Sequence, residues 1–466
     1  VTTYADFLVS KRATHQPVGL EVAPGALHSR LFPFQRNITR RALQLGRSAI
    51  FADTGLGKTL CSLEWARHLP GRVLIICPLA VAWQFVAEAQ YLGLRVPYVR
   101  NQAEANTDGA TICVTNYDMV THFDPVRWTG VVLDEASSLK NHTGAFRALM
   151  MQMWRDTPYK LAQTATPSPN TPTEILEIAE WLGIWETHHA LTRWFLRDSN
   201  QAGQLRLKGH AASDYYRWLA SWCVALTRPS DIGPYNDDGY VLPGLDIHTH
   251  TVSIDYARFQ RDGQLLPTGR RSATEMWADK RETVQERVQL AAELAASNDL
   301  PWVVWVSTDE ESRAVMEQLG DDAIEVRGSQ HTAEKERRLR GFADNTYRVI
   351  VTKPSIASLG LNWQHCHQMV FASVDFSFER RYQALRRCLR FGQQHRVQAH
   401  IITTETETNI NQAIAEKERQ HHDLVRNIVQ ATRQWGLDPD LATRARLMDY
   451  QPQTPLHLPT WLGRAV

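Results

Sequence analysis

The feature that most constrains this chain is one alternation written twice. Short blocks of Ala, Val, Ile and Leu alternate with segments of helical periodicity, first over residues 48–182 and again over 302–402. In the first stretch the apolar blocks fall at 48–52, 72–77, 111–115, 131–134 and 159–164. In the second they fall at 302–306, 323–326, 348–352, 368–372 and 397–402, with helical segments at 309–319, 332–342 and 379–389. Blocks apolar on both faces need cover on both faces, which crossover helices supply, so each stretch predicts a mostly parallel α/β sheet. At roughly 150 residues per domain, 466 residues leave room for two such domains and smaller pieces.

Between the two stretches the pattern breaks. Residues 186–250 are rich in Trp, Tyr and Arg and read as a helical insertion and linker. Residues 193–228 hold six basic side chains against two acids, a local charge of +4. Pro229, Gly233, Pro234, Pro243 and Gly244 mark a hinge. The expected layout is an N-terminal segment 1–30, a first lobe 31–185, the insertion 186–250, a second lobe 251–426 and a polar tail 427–466. Tyr215, Trp218, Leu219 and Trp222 follow helical spacing, which ordinarily means core packing and not base stacking.

A net charge of +1 excludes a globally basic binder but allows a local basic groove. The six cysteines are scattered with no C-x-x-C pair, as expected in a reducing cytosol. The cluster His365-Cys366-His367 could be a ligand set, but adjacent residues rarely converge on one metal without distant partners. The longest charge-free apolar stretch, 73–87, contains Pro78 and is shorter than the ~20 residues of a spanning helix. The first twelve residues carry no secretion-signal pattern.

The chemistry concentrates in three places. Ala52-Asp53-Thr54-Gly55-Leu56-Gly57-Lys58-Thr59 follows an expected strand and opens an expected helix. Gly55 and Gly57 let backbone N–H groups wrap phosphate oxygens, and the helix N-terminus adds its positive end. Lys58 would reach the β- and γ-phosphates, and Thr59 would hold Mg²⁺. Asp134-Glu135 ends a buried block 77 residues beyond Lys58. Asp134 would bind Mg²⁺ through water and Glu135 would polarise the attacking water. Residues 378–396 hold six arginines and one acid. Arg387 and Arg390 are i, i+3 neighbours that share a helix face and could point as arginine fingers at a γ-phosphate held by the first lobe.

Taken together these motifs resemble superfamily 2 helicase-type ATPases, most of all the Swi/Snf branch in its compact bacterial or phage form, over about 31–420. The resemblance implies two tandem RecA-like domains with a helical insertion between them. Phe32-Pro33-Phe34-Gln35 is similar to the adenine-reading glutamine motif, so Gln35 would contact the base. Ala52–Thr59, Thr54 included, is similar to motif I as this superfamily writes it. The segment from Pro78 resembles motif Ia, and Asp134–Ser137 stands in the place of the DEAD/DEGH box. Thr164-Ala165-Thr166-Pro167 resembles motif III, which would place Thr164 and Thr166 in the coupling of hydrolysis to movement. A proline after Ser168 departs from the Swi/Snf pattern. The segment 358–362, with Gly360 and Asn362, resembles motif V. Residues 383–393 resemble motif VI, with Arg386 where a glycine is usual and Arg390-Phe391-Gly392-Gln393 close to the Swi/Snf ending. The insertion sits where the family carries a DNA-gripping protrusion, making Arg193, Arg206, Lys208 and Arg217 candidates for backbone contact.

The reading is an ATP- and Mg²⁺-using translocase, a cytoplasmic monomer moving along mainly double-stranded or branched DNA, with replication, recombination or defence proteins as partners. The alternatives are a strand-separating DNA or RNA helicase and an inactive DNA-binding scaffold. The scaffold predicts erosion of Lys58, Thr59, Asp134, Glu135, Arg387 or Arg390, and all six are present.

Overall fold

The computed structural model describes residues 17–140, 144–197, 205–253, 280–356, 363–373, 377–404 and 407–437. The motif V candidates Gly360 and Asn362 lie outside the described residues.

The first apolar series forms five strands: β1 (Arg47–Ala52), β2 (Val73–Cys77), β3 (Ile112–Asn116), β4 (Gly130–Asp134) and β5 (Tyr159–Gln163). The segment after 186 holds a short antiparallel ribbon, β6 (Phe195–Arg197) with β7 (Leu205–Leu207), and then β8 (Cys223–Leu226). The sheet order is β3-β2-β4-β5-β1-β8, and every neighbouring pair is parallel. Its strands are buried on both faces, which is why their sequence runs apolar without alternation.

The second series forms β10 (Trp302–Trp305), β11 (Ala323–Val326), β12 (Val349–Thr352), β13 (Gln368–Phe371) and β14 (Val397–Thr404), completed by β9 (Leu245–Val252). The order is β11-β12-β10-β13-β14-β9, again all parallel. The fold is thus two six-stranded parallel sheets flanked by helices, as the alternation predicts.

Besides the β6–β7 ribbon, the segment read as helical insertion and linker supplies one strand to each large sheet. β8 pairs with β1 and becomes the sixth strand of the first sheet, beyond residue 185. Its four residues directly follow the helix Ala212–Trp222, so the aromatic stripe runs into the strand with no break in polarity. β9 is an edge strand with alternating His and Thr, half exposed, and so lacks the solid apolar signature. The stripe itself is core: Tyr215, Trp218, Leu219 and Trp222 are all buried in the first sheet's cluster. Each fully buried aromatic contributes about 1.5–3 kcal/mol.

The C-terminal helix Thr408–Trp435 continues past residue 426. It leaves β14 of the second sheet and sets Leu424, Val425, Ile428 and Val429 into the core cluster of the first. Among the described residues, no helix is long and apolar enough to cross a membrane.

Candidate nucleotide-binding cleft

A cleft of about 550 Å³ lies between the lobes, at the C-terminal ends of β1 and β4. One wall is Thr54, Gly55, Gly57, Lys58 and Thr59 with Asp134 and Glu135. The facing wall includes Arg386, Arg387 and Arg390. Residues more than 300 positions apart in the chain therefore meet across one space.

The loop after β1 turns on two left-handed glycines, Gly55 (φ 86°) and Gly57 (φ 78°). A Cβ on Gly57 would sit 2.2 Å from Gln35 Nε2, so no side chain fits there. Lys58 opens the helix Lys58–His68, and its ammonium donates to the carbonyl of Ala52 at 2.8 Å. Gln163, at the end of β5, donates to Lys58 O at 2.9 Å and ties the helix start to the sheet.

Gln35 is buried beside this loop. Its amide donates to Leu56 O at 3.0 Å and its carbonyl accepts from Phe32 N–H at 2.8 Å. Both ends of the carboxamide are thus committed to backbone, and Gln35 holds the loop from behind without lining the cleft. Phe391 closes the other side of the loop, packing against Gly55 and stacking on Tyr240 at 4.6 Å.

β4 ends in the two carboxylates. Glu135 has φ 50°, a left-handed conformation that costs a non-glycine residue ~1–3 kcal/mol and is held here by its surroundings. Thr164 Oγ1 donates to Glu135 Oε2 at 3.1 Å, and Tyr117 OH donates to Asp134 O at 2.8 Å. Burial, and then the neighbouring Glu135 charge, push the Asp134 carboxyl up to about 7, against the pull of Lys58. Burial also raises Glu135, opposed by Lys58, the Thr164 hydrogen bond and Arg387. Two carboxylates held reluctantly ionised beside the Thr59 hydroxyl form an oxygen donor set suited to a hard divalent cation, whose charge would relieve that cost. The residues present therefore fit Mg²⁺ and a phosphate chain.

Burial lowers both Arg387 and Arg390 to about 10, with Glu135 acting on the first and Glu88 on the second to restore the charge. The helix Phe378–Leu385 ends before them, so Arg387 and Arg390 do not share a helix face as their spacing predicts but stand on the turn beyond its cap, half-buried and lining the cleft.

Three residues that sequence reasoning missed complete the interlobe contact. Glu379 Oε1 accepts from Ser137 Oγ at 2.6 Å and from Thr166 Oγ1 at 3.5 Å. Thr166 N–H in turn donates to Thr164 Oγ1 at 3.1 Å, so the motif III threonines join the carboxylate loop to the arginine-bearing lobe. Arg386 forms an ion pair with Asp53 at 2.6 Å, and Tyr382 OH donates to Asp53 Oδ1 at 2.7 Å. Burial works against the Arg386 charge, but the Asp53 carboxylate outweighs it and raises the guanidinium's pKa. The signal in the sequence was Arg386 itself, standing where a glycine is usual.

The insertion's candidate cations are placed less openly. Arg193 pairs with Asp214 at 2.9 Å and lies over Trp194. Lys208 donates to Thr192 O and Arg193 O, capping the helix Thr187–Trp194. Arg217 lies 4.9 Å over the Trp435 ring. Arg206 is exposed on β7. Cys366 is buried and donates to backbone carbonyls of Pro301 and Gln368, a structural role. The His365-Cys366-His367 cluster gathers no metal-ligand group among the described residues.

Residues 37–221 match the SNF2-related domain and residues 286–392 match the helicase conserved C-terminal domain. The chain therefore carries an SNF2-related domain followed by a helicase conserved C-terminal domain. Among known proteins it is 27% identical over 195 residues to the chromatin-remodeling ATPase INO80 of Gibberella zeae, covering 35% of this chain and 10% of that one. It is 28% identical over 223 residues to the helicase SWR1 of Debaryomyces hansenii, covering 42% of this chain and 13% of that one. The match thus spans about a tenth of these relatives' length. A solved Sulfolobus solfataricus SWI2/SNF2 ATPase core in complex with dsDNA aligns over 87% of this chain and 94% of that chain, at 16% identity and a TM-score of 0.42.

Proposed function

We propose that this protein is a DNA-dependent ATPase that moves along duplex DNA by opening and closing its two lobes around ATP. The observation that carries the proposal is the division of the cleft. The phosphate loop and carboxylates stand on one sheet, and Arg387 and Arg390 stand on the other. Nucleotide bound there is completed only when the lobes close, and its hydrolysis removes what holds them together.

In this reading Lys58 and the amides of Thr54, Gly55 and Gly57 cradle the phosphates, while Gln35 keeps the loop in shape behind them. Thr59 and Asp134 hold Mg²⁺, which supplies positive charge to the phosphate oxygens when bound. Glu135 orients the attacking water, with Thr164 fixing its carboxylate. Arg387 and Arg390 stabilise charge developing in the transition state. Thr164, Thr166, Ser137 and Glu379 pass the state of the cleft from one lobe to the other.

DNA as the track is supported by the SNF2-related and helicase domain pair and by the basic insertion, whose exposed Arg206 is the best placed of the four candidate contacts. Grip on the phosphate backbone would be sequence-independent. The bacterial or phage cytoplasm belongs to the same proposal, and six buried cysteines, all free thiols, support a reducing compartment.

Hydrolysis measured with no nucleic acid, single strands, duplex and forks tests the reading. Duplex should stimulate most, and Lys58→Ala should abolish turnover on every substrate. Stronger stimulation by single strands would move the protein to a strand-separating helicase. Absence of stimulation by any DNA would overturn the DNA reading.

A further inference from the structure

A second cavity, of about 540 Å³, lies on the far side of Asp53 from the nucleotide cleft. Its size is within the usual range of small-molecule sites, ~300–1,000 Å³. Three separate parts of the chain build it. The first lobe supplies Phe51, Asp53 and the 226–231 turn after β8. The arginine-bearing helix Phe378–Leu385 and its cap supply Tyr382 and Arg386. The C-terminal helix supplies residues from His421 to Arg433.

Four arginines line it, Arg228, Arg386, Arg426 and Arg433, with Asp53 and Asp231. Arg228 also pairs with Asp237 at 3.6 Å and Arg426 with Asp423 at 2.6 Å, so what the rim offers is the further N–H groups of arginines that already have one acidic partner. Both aspartates are already engaged: Asp53 with Arg386 and Tyr382, and Asp231 with Arg433 at 3.3 Å and the Thr227 N–H at 2.7 Å. The floor is largely apolar, made by Phe51, Tyr382, Leu226 and Val425, while Arg228, Arg426 and Arg433 stand half or more exposed at the rim.

His421 also lines the cavity; it is 3% exposed and wedged against the rings of Phe378 and Tyr382, with its Nδ1 sealed inside the wall.

We propose that this cavity is a second small-molecule site, taking a phosphate- or carboxylate-bearing compound with a flat apolar body, and that its occupancy is linked to nucleotide in the first cleft. The anionic group meets the rim arginines, and the flat body lies against Phe51 and Tyr382. The link is physical. Arg386 lines both cavities, and its partner Asp53 directly precedes Thr54 of the phosphate loop. A ligand anion that draws on Arg386 changes how firmly the second lobe is held to that loop. Such coupling is reciprocal, so nucleotide must alter the second site's affinity by the same factor. The site goes beyond the ATPase reading and can be detected without it.

Phenyl phosphate, a flat aromatic dianion, is the probe. It is titrated calorimetrically into the full chain without nucleotide and again with ADP and Mg²⁺ in excess. Saturable binding is expected in both, tighter than that of inorganic phosphate and shifted by about fivefold or more between the two conditions. Gln430→Trp, which plugs the mouth from an exposed position, and Arg426→Glu, which reverses a rim charge, should each weaken binding about tenfold. Both positions are exposed, and thermal melting confirms the fold of each variant. Lack of saturable binding, full displacement by ADP, or unchanged affinity in both variants would overturn the site. An unchanged affinity with and without ADP would overturn the link. ADP that itself fails to bind would count against the nucleotide reading alone, because the first titration contains none.

Discussion

The two cavities flank the same aspartate and share the same arginine, yet they are made in opposite ways. The interlobe cleft is built mainly from short contiguous motifs at strand ends, with Lys58 and the carboxylates on one wall and the arginines on the other. The second cavity takes single residues from three remote segments, and its exposed arginines stand at the rim, each paired with an acid. In the first, the two buried carboxyls carry raised pKa values and leave a need for a cation. In the second, acids and arginines are paired with one another. The same loop therefore separates a site whose buried carboxyls call for a cation from one whose charges already meet partners.

The comparison breaks most sharply at the arginines. Arg387→Ala and Arg390→Ala should each lower kcat by ~10³ or more with little change in KM, because their charge acts on the transition state. Gln430→Trp, across the loop in the second cavity, should leave basal turnover within about twofold. Steady-state kinetics on the three variants checks this, and an arginine whose loss raised only KM would be a ground-state contact.

Glu135→Gln comes next, with an expected loss of ~10²–10⁴ in turnover and retained ATP binding. Near-normal hydrolysis in this variant would remove Glu135 from the chemistry and leave its strained backbone as a packing feature.

The third test separates the cavities by pH. Burial lowers His421 to about 4, helped by neighbouring His422 and Arg386 and opposed by Asp53. For a base whose folded pKa is depressed, the unfolded chain binds a proton between about 4 and the ordinary ~6.5 that the folded chain refuses. Stability should therefore fall as pH drops through that window, by on the order of 3 kcal/mol at most. Denaturant melts of His421→Leu should show a flatter profile between those limits. An unchanged profile would mean that His421 is solvated and the cavity floor open.

The smallest effect concerns the insertion. Arg206→Glu should reduce the salt dependence of DNA-stimulated hydrolysis by roughly 0.9 in log–log slope for each DNA phosphate that is no longer neutralised. Arg193, Lys208 and Arg217 are tied to Asp214, to backbone carbonyls and to Trp435, so their reversal should show first as reduced stability. If those three changed the slope and Arg206 did not, the grip would lie on the opposite side of the insertion.

Much of this protein was decided locally. Solid apolar blocks dictated ten of the strands, because a strand buried on both faces has no polar face to display. The phosphate loop, the Asp134-Glu135 pair and the Arg387–Arg390 cluster were legible because that chemistry needs neighbours in sequence: glycines beside a helix start, acids at a strand end, cations close together; that the two arginines stand on a turn past the helix end was not. Tertiary structure decided what depends on distant partners. It made Cys223–Leu226 a strand by offering it the open edge of β1, and Leu245–Val252 a strand by pairing it with β14. It turned Gln35 onto the backbone of Leu56 and brought Glu379 to Ser137 and Arg386 to Asp53. Periodicity records which face of an element is buried, but an ion pair spanning 333 residues exists only once two finished sheets and the helix across them have met.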